Sequence, residues 1–578
     1  MHGKGDWVVH RSALLGVVLG LACLPFIHFL LVDDWFHVAI LDGTVAHAQG
    51  ATASGPWDLF RFFGGNPKVI QLAKESSLTP WFSHPELKLA FWRPLSSLFI
   101  VLDHRLFGTW APGYLLHSLA WYAALCVIVA ALFRRIFPVR VALLGVLLFA
   151  VLGTHHQSVV WASARNSLTC AVFGGLALLA QVTAGEEGRR ANPWLVLGLL
   201  ALSLLTGEAG LGMAAFSIAY ELFNDRDPLK ARVRRALPIA GLVAAWLIAY
   251  VLLGYGTRGS GEYLNPLSAP LDYALAFPIR LGNALSVLLA GAPADIWFLA
   301  PGARTSMAIL GALSVAILAP WAWSVAKAAT PEVRRHLAWL TTGMLFALLP
   351  QLAGVLGPRS FVIPSIGSAA IISVLVASAF GKPQFAPRAG ALVLLVLHGV
   401  FGAGMWLGSS AVYAKITAGV EANYAAMGLN ERSASERSYL LLSTPEVFSG
   451  IYAPWEFAAK NRARIASWRL LSLCECDHTV TRLSERTFEV KLNGTLLGSP
   501  YAAMLRSPAS PPRVGERVDL SDLAIEVLAV DDRLQPTRFS VDLKRTALPE
   551  LWAWSDGKME RFTLPPLGQS RTFHWLRP

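Results

Sequence analysis

Residues 113–135 read GYLLHSLAWYAALCVIVAALFRR, and this stretch determines the class of fold. Its first 21 residues contain no Asp, Glu, Lys or Arg. About 20 such residues form a helix long enough to cross the hydrocarbon core of a bilayer. The adjacent Arg134 and Arg135 then mark the end of that helix which faces the cytoplasm. We therefore predict a transmembrane helix over 113–133 with its carboxyl end inside.

Similar uncharged runs recur along the first 410 residues and predict a polytopic α-helical membrane protein. We expect about eleven transmembrane helices with the N-terminus inside, because Lys and Arg then lie in the inner loops. The runs are 12–32, 113–133, 141–154, 166–184, 193–206, 209–220, 237–255, 305–326, 336–356, 360–380 and 389–410. This arrangement requires that 94–107 and 272–290 do not cross as full spans but lie at the interface or re-enter the bilayer.

The overall composition agrees with this class of protein. The 578 residues are 54% hydrophobic and 15% charged, with 49 Lys and Arg against 37 Asp and Glu. A soluble protein carries roughly a quarter of charged residues, so the composition excludes a cytosolic enzyme and a disordered chain. Most of the net charge of +12 lies in the predicted inner loops, where it sets orientation. We therefore expect no nucleic-acid partner.

Two large segments then face outward. The first is the outer loop 33–92, within a membrane domain of residues 1–410. The second, 411–578, is predicted to be an extracytoplasmic domain of the α+β or β-rich kind, because charge returns and apolar runs shorten. Residue patterns predict strands at 479–492, 523–530 and 538–543, a hairpin turn at 555–558 and a helix within 445–466. The predicted location is the cell membrane, or the inner membrane of a Gram-negative cell.

Asp33 and Asp34 follow the first apolar run, where the helix leaves the bilayer on the outer side. On one interpretation they are a solvated helix end, since a carboxylate at the interface is tolerated. On the other, one carboxylate is a general base that deprotonates an acceptor hydroxyl, and its neighbour orients it. The residues alone leave both interpretations open.

Three arginines lie in predicted outer segments, whereas most Lys and Arg residues of the membrane domain lie in the inner loops. They are Arg93, Arg165 and Arg359. A planar guanidinium binds phosphate oxygens through paired N–H donors, so we predict that these residues hold a lipid phosphate. Each one alone also fits an interfacial residue whose charged head reaches the water layer. The three together favour the phosphate site.

The order of several short motifs resembles that of the GT-C glycosyltransferases, and most of all the membrane part of the transmembrane and tetratricopeptide-repeat O-mannosyltransferases. The resemblance covers roughly residues 8–410, and no single motif decides it. The motifs are the diacid at 33–34, WRPL at 92–95, LFG at 106–108, YLLH at 114–117, His155 with Trp161 and Arg165, TGEAG at 206–210, and Arg359 with PSIG at 364–367.

This resemblance implies a polyprenyl-phosphate sugar as donor, an outward active site and an aspartate of the first outer loop as base. It maps the base to Asp33 or Asp34, and donor-side or supporting positions to Arg93, Arg165, Arg359, His117, His155 and Glu208. Where relatives often have an acid, an aspartate and a lysine, this chain has Gln157, Ser167 and Gly207. These departures leave the donor and any metal use open. The tetratricopeptide repeats are absent, and 411–578 take their place.

We predict no metal site and no cofactor other than the lipid-linked sugar donor. Cys474, Cys476, Asp477 and His478 come nearest to a metal cluster, but one residue between the cysteines is fewer than the two to four usual for zinc. A disulfide between them or a pair of free thiols fits better. A divalent metal at the carboxylates has no support in the sequence.

Together these features predict an integral-membrane glycosyltransferase that moves a sugar from a polyprenyl-phosphate donor to an extracytoplasmic acceptor. The acceptor is a protein, a lipid or a cell-envelope glycan, and membrane lipids are the other partners. Two alternatives stay open: a ligase or polymerase of lipid-linked glycans, and a non-catalytic transporter or scaffold. A transporter should carry charged residues at mid-membrane, whereas the ionisable groups here gather at the ends of the predicted spans.

Overall fold

A computed structural model of the chain describes residues 14–27, 29–44, 55–223, 227–381, 384–544 and 548–578. They form two compact units, each built from separated segments. The helical unit takes its described residues from Met1–Leu30, Phe91–Gly254 and Pro266–Ala414. The sheet unit takes its described residues from Leu31–Ala90, Tyr255–Asn265 and Lys415–Pro578. Most of the first outer loop thus belongs to the same unit as the tail, while the extracytoplasmic placement of 411–578 stays a prediction.

The secondary structure is mainly helical up to about residue 426 and mainly strands after it. In chain order the helices are α1 (Leu14–Phe26), α2 (Asp33–Leu41), α3 (Pro67–Glu75), α4 (Pro94–Phe107), α5 (Ala111–Ile136), α6 (Val139–Ala150), α7 (His156–Val160), α8 (Asn166–Glu186), α9 (Pro193–Thr206), α10 (Gly210–Phe223), α11 (Leu229–Leu252), α12 (Pro270–Ala290), α13 (Ile296–Leu299), α14 (Arg304–Ala328), α15 (Pro331–Leu352), α16 (Ser365–Phe380), α17 (Phe385–Leu395), α18 (Gly402–Ala426), α19 (Ala453–Asn461) and α20 (Pro500–Leu505). The strands are β1 (Arg61–Gly64), β2 (Lys88–Ala90), β3 (Gly256–Arg258), β4 (Ser438–Leu441), β5 (Ser467–Leu470), β6 (His478–Arg482), β7 (Thr487–Leu492), β8 (Arg517–Asp519), β9 (Leu523–Val530), β10 (Pro536–Leu543), β11 (Glu550–Ser555), β12 (Lys558–Phe562) and β13 (Ser570–Phe573).

Six helices within the described residues are long and apolar enough to cross a membrane. They are Ala111–Ile136, Ala162–Glu186, Leu229–Leu252, Pro270–Ala290, Pro301–Ala328 and Phe385–Ala426. A seventh span results if Val139–Ala150 and Gly153–Val160, which are bent by 46°, cross together. Shorter apolar helices are Leu14–Phe26, Pro193–Thr206, Gly210–Phe223 and Ser365–Phe380. The structure thus supports a helical protein with several spans, whereas the number of eleven and the orientation stay predictions.

Three predicted segments differ from, or refine, the sequence expectation. The run 12–32 is not one helix: α1 ends in a 3₁₀ turn at Phe26, because Pro25 lacks the N–H that would continue an α-helix. Residues 272–290 were expected not to cross, but they form α12, which is long and apolar enough to do so. Residues 94–107 form α4, whose 14 residues are fewer than a span requires.

Glycines allow α12 and α14 to pack closely. A Cβ atom at Gly311 would lie only 1.9 Å from the carbonyl oxygen of Gly282, and one at Gly282 would lie 2.7 Å from the Cα of Ala308. Small residues that let two backbones approach in this way are typical of helix pairs in membranes. Any side chain at either glycine would therefore push the two helices apart.

The described residues of the sheet unit form three sheets. The largest has six antiparallel strands in the order β13-β6-β7-β10-β9-β8. A four-stranded sheet has the order β12-β11-β4-β5, and β4 runs parallel to both of its neighbours. The third joins β1, β2 and β3. The β-rich character predicted for the tail is confirmed.

Most predicted elements of the tail agree with the observed ones. Strand β9 coincides with 523–530, and β10 contains 538–543. The segment 479–492 is a hairpin of β6 and β7, because the polar residues 484–486 turn the chain in its middle. The predicted turn joins β11 to β12, with Asp556 and Gly557 at φ values of 51° and 80°. Two successive positive φ angles match the twist of a type I′ hairpin turn.

The cysteines resolve one open alternative. Cys474 and Cys476 form a disulfide, one of the two arrangements expected from their spacing. Cys23, Cys126 and Cys170 are buried, free thiols. In the described parts of the chain, no three His, Cys, Asp or Glu side chains are grouped so that they could hold a metal ion.

Candidate functional site

The two predicted catalytic carboxylates lie in the first turn of α2, in the sheet unit. Asp34 is 3% exposed, and its Oδ2 accepts a hydrogen bond from the N–H of Leu31 at 3.2 Å. Asp33 is partly exposed, and its Oδ1 accepts a hydrogen bond from the hydroxyl of Tyr452 at 3.0 Å. Asp34 therefore closes the turn that starts the helix, while Asp33 is the carboxylate that solvent reaches.

The backbone before Asp33 is strained. Val32 has a φ of 23°, and a β-branched residue rarely adopts a positive φ. Two hydrogen bonds between Leu31 and Asp34 enclose it: the N–H of Leu31 bonds the carboxylate, and the N–H of Asp34 bonds the carbonyl of Leu31 at 2.7 Å. Strain of this kind persists only where the surroundings hold it, and it is common at functional sites.

Aromatic side chains anchor α2 within the sheet unit. The rings of Phe36 and Trp455 have centres 4.5 Å apart, and those of His37 and Phe60 are 4.9 Å apart. Trp455 belongs to α19 of the tail and Phe60 to the first outer loop. The helix that carries Asp33 is thus packed against both segments, which limits its movement.

A third carboxylate in the first outer loop was not selected from the sequence. Asp58 is buried and accepts hydrogen bonds from Nε of Arg61 at 2.7 Å and from the hydroxyl of Tyr255 at 2.9 Å. The guanidinium of Arg61 also lies 4.2 Å from the centre of the Tyr255 ring. Burial, followed by the neighbouring Asp58, raises the pKa of Tyr255. This group ties the first outer loop to 255–265 and pairs the carboxylate of Asp58 with the guanidinium of Arg61.

Arg165 lies in the helical unit and is 2% exposed. Its guanidinium donates to Oδ2 of Asp103 at 2.5 Å, to the hydroxyl of Ser118 at 2.8 Å and to the carbonyl of Tyr114 at 3.0 Å. Nδ1 of His117 lies 2.5 Å from the other oxygen of Asp103. Arg165 and His117 therefore share one buried carboxylate, which joins α4, α5 and the start of α8.

Arg93 forms a salt bridge with Glu208, with 2.8 Å between Nε and Oε2. The other oxygen of Glu208 accepts a hydrogen bond from Tyr250 at 3.2 Å. Both charged side chains are partly exposed. Trp92 stacks on Trp246 of α11, with ring centres 5.9 Å apart. Helix α11 therefore contacts Trp92 through Trp246, and it contacts Glu208, the partner of Arg93, through Tyr250. The structure thus pairs two of the predicted site residues.

His155 is completely buried in the helical unit. Its Nδ1 lies 3.0 Å from the hydroxyl of Tyr122, and its Nε2 lies 2.9 Å from the hydroxyl of Ser365. These contacts connect the loop 153–165 to α5 and to the first residue of α16. His155 exposes no atom to solvent, and its supporting role stays a prediction.

Arg359 contacts the same loop 153–165. Its backbone N–H donates to Oε1 of Gln157 at 3.2 Å, and its guanidinium lies 5.1 Å from the centre of the Trp161 ring. The side chain is partly exposed. Gln157 is one of the departures from the family pattern, and its amide oxygen accepts this hydrogen bond as an acid would.

Gly207, another departure, lies between two predicted site segments. A Cβ atom at Gly207 would lie 3.0 Å from Nδ2 of Asn166 and 3.4 Å from Nε of Arg93. Arg93 and the residue that follows Arg165 therefore flank the same glycine. A side chain at this position would require Asn166 to move by a few tenths of an ångström.

The predicted site residues thus fall into two sets. The helical unit holds Arg93, His117, His155, Arg165, Glu208 and Arg359, joined in the small groups described above. Asp33 and Asp34 belong to the sheet unit.

Sequence reasoning missed Asp103 and Tyr452. A lone acid in the apolar run 94–107 was a usable signal for Asp103, whereas nothing in the sequence distinguished Tyr452 from other tyrosines.

No family model and no curated sequence matches the chain. Among solved structures, the oligosaccharyltransferase AglB from Archaeoglobus fulgidus, in complex with an inhibitory peptide and a dolichol-phosphate, is 11% identical with a TM-score of 0.41 over 81% of this chain. ArnT from Cupriavidus metallidurans, bound to undecaprenyl phosphate, is 14% identical with a TM-score of 0.40 over 95% of this chain and 100% of its own.

The match to AglB is partial, since the chain spans only 65% of the length of that protein. AglB and ArnT are glycosyltransferases of the GT-C superfamily, the group that the sequence resembles.

Proposed function

We propose that the protein is an integral-membrane glycosyltransferase that moves a sugar from a polyprenyl-phosphate donor to an acceptor outside the cytoplasm. This proposal rests on the different environments of the two adjacent aspartates. Asp34 is buried and bonded to the backbone, whereas Asp33 is partly exposed and fixed by a hydroxyl at 3.0 Å. A general base needs this combination of access and fixed orientation. Asp33 is therefore the proposed base and Asp34 its structural neighbour.

In the proposed reaction, Asp33 accepts the proton of the acceptor hydroxyl. The oxygen of that hydroxyl then forms a bond to the anomeric carbon of the sugar. The bond from this carbon to the phosphate oxygen breaks, and the polyprenyl phosphate leaves with the electron pair. Positive groups at the phosphate stabilise the charge that develops on it. No nucleotide is consumed, which suits an active site outside the cytoplasm.

The arginines divide into two proposed roles. Arg93 and Arg359 are partly exposed, which supports contact with the donor phosphate. Arg165 is buried and bonded to Asp103, Ser118 and Tyr114, which supports a role in holding the loop 153–165 in place. Gln157 in that loop accepts a hydrogen bond from the backbone N–H of Arg359, so the loop 153–165 and Arg359 lie next to each other. His117, His155 and Glu208 are proposed to support these cations.

The proposed function is tested by comparing cell-envelope glycans from cells with and without the protein, using mass spectrometry. We expect one class of glycoconjugate to be lost without the protein and restored by the wild-type chain. The variant Asp33→Asn should fail to restore it. Asp532→Asn is the matched control, because Asp532 is an exposed carboxylate of the same unit. Restoration by Asp33→Asn at the wild-type level would refute the assignment of the base.

The same measurement separates this function from the alternatives. Transfer of a single sugar supports a donor with one phosphate. Loss of a whole oligosaccharide chain instead would identify a ligase or polymerase that consumes a lipid-pyrophosphate glycan. An unchanged glycan profile, with the protein present at normal level in the control cells, would leave only a non-catalytic role and refute the proposal.

A further inference from the structure

The hydrogen bond between Tyr452 and Asp33 joins two parts of the chain that are 419 residues apart. Asp33 comes from the first outer loop, and Tyr452 comes from the tail, for which the sequence suggests no role. Both belong to the sheet unit, so the contact lies inside one compact body. A tail that acted only as a separate binding module would have no reason to bond the proposed base.

The segment that carries Tyr452 is held firmly. Residues Phe448–Tyr452 form a π-helical turn that leads directly into α19. The carboxylate of Glu446 accepts hydrogen bonds from both the N–H and the hydroxyl of Ser449, and the indole of Trp468 donates to the carbonyl of Gly450 at 2.7 Å. A π-helical turn is rare and occurs often at functional sites. The residues directly before Tyr452 are thus held in place by Glu446 and Trp468, and the hydroxyl itself bonds Asp33.

The protonation state of Tyr452 suits a permanent donor. Burial, and next the carboxylate of Asp33, raise the pKa of Tyr452 well above its ordinary value. Tyr263 and Tyr501 lie close enough to act in the same direction. The hydroxyl therefore keeps its proton throughout the physiological range and can always donate it to Asp33. A neutral donor that bonds one carboxylate oxygen fixes the rotation of the carboxylate group.

We infer that Tyr452 is a positioning residue for Asp33, so that the tail completes the catalytic site instead of forming a separate module. This inference rests on the proposed function, because it assumes that Asp33 is the base. Tyr452 acts through Asp33 and does not itself take the proton of the acceptor. It orients the carboxylate toward the acceptor hydroxyl, and its removal should slow the chemical step while leaving donor binding intact.

The test is a transfer assay with the purified full-length protein. The donor is the lipid-linked sugar fraction extracted from cells that make the protein, and the acceptor is the envelope fraction of cells that lack it. For Tyr452→Phe we expect the maximal rate to fall about tenfold and the apparent KM for the donor to change less than about twofold. A purely structural defect would instead lower the amount of folded protein and its melting temperature, without this separation of rate from KM.

Two further variants make the result decisive. Tyr439→Phe is the control, because Tyr439 is a buried tyrosine of the same sheet unit whose hydroxyl likewise donates a hydrogen bond, at 3.2 Å, to the carbonyl of Met427. It should leave both rate and KM unchanged. If Asp33→Asn is inactive and Tyr452→Phe retains the wild-type rate, the inference about Tyr452 is wrong while the proposed function stands. If Asp33→Asn is fully active, the proposed function itself fails.

Discussion

Asp103 and Arg165 form a salt bridge of 2.5 Å in which both side chains are buried. Removing one partner of such a pair leaves the other charge without compensation in an apolar surrounding. We therefore expect Asp103→Asn to lower the free energy of unfolding by roughly 3 kcal/mol, measured as a lower melting temperature in detergent. Glu187→Gln should leave the melting temperature unchanged, since its partner Arg189 is 71% exposed. Equal melting temperatures for the two variants would contradict a structural role for Asp103.

The space around Gly207 gives a second prediction. In Gly207→Ala the new Cβ atom would lie 3.0 Å from Asn166 and 3.4 Å from Arg93. The neighbours must move, so we expect destabilisation of about 1–3 kcal/mol and weaker donor binding through displacement of Arg93. Gly198→Ala is the control, because a Cβ atom at this helical position meets no atom within 4 Å. A rise in donor KM for Gly207→Ala alone would agree with the prediction, and unchanged KM and stability would refute it.

Glu446 predicts how the stability of the sheet unit depends on pH. Burial raises its pKa from an ordinary value of 4.5 to about 7. Between these values the folded state holds a proton that the unfolded state releases, so stability falls as pH rises from about 4.5 to 7. The loss amounts to about 3 kcal/mol. In Glu446→Gln this loss should be absent. The melting temperature of the variant minus that of the wild type should therefore be larger at pH 8 than at pH 5.

Other titrating groups also make the stability of the protein depend on pH. The pH dependence of Glu446→Gln must therefore be compared with that of the wild type. Burial lowers the pKa of His478 from 6.5 to about 4, which makes stability rise with pH over that interval. The difference between Glu446→Gln and the wild type removes this contribution. Glu485→Gln changes an exposed carboxylate and should show the wild-type pH dependence. If the two variants behave alike, Glu446 does not determine the pH dependence.

The cysteines predict a simple labelling pattern. Cys474 and Cys476 are joined, and the three free thiols Cys23, Cys126 and Cys170 are buried. A thiol-reactive maleimide should therefore modify no cysteine in the native protein, three after denaturation, and five after denaturation with reduction. Intact-mass measurement gives these numbers directly. Labelling of either tail cysteine without reductant would show that the disulfide is absent.

Parts of this structure follow from local sequence patterns and parts do not. Helix α5 lies around the predicted run 113–133, because an apolar run of 21 residues has few other stable arrangements in a bilayer. Strands β9 and β10 were equally predictable from alternating residues. The break between α1 and α2 was missed because hydropathy alone does not register the effect of Pro25. The full length of α12 was missed because the charge balance of the loops suggested otherwise.

The candidate site was predictable only in its charged members. Arg93 and Arg359 were selected from the sequence because they lie outside the predicted inner loops, and Asp33 because it follows the first apolar run on the outer side; their roles stay predictions. The separate roles of Asp33 and Asp34 were not, since they depend on the backbone at Val32. Tyr452 was not found either, because its role depends on the packing of α19 against α2, which no local pattern encodes.

The pairing of β4 with β11 has a consequence for biosynthesis. Leu440 in β4 is paired with Leu551 in β11, so the four-stranded sheet cannot close until the ribosome has made the last strands. Contacts of such large sequence separation form late and slowly. Helix α2, made among the first residues, must wait for most of the chain before its partner segment is secured. In a nascent or truncated chain, Asp33 therefore lacks the hydrogen bond from Tyr452 until the tail has been made.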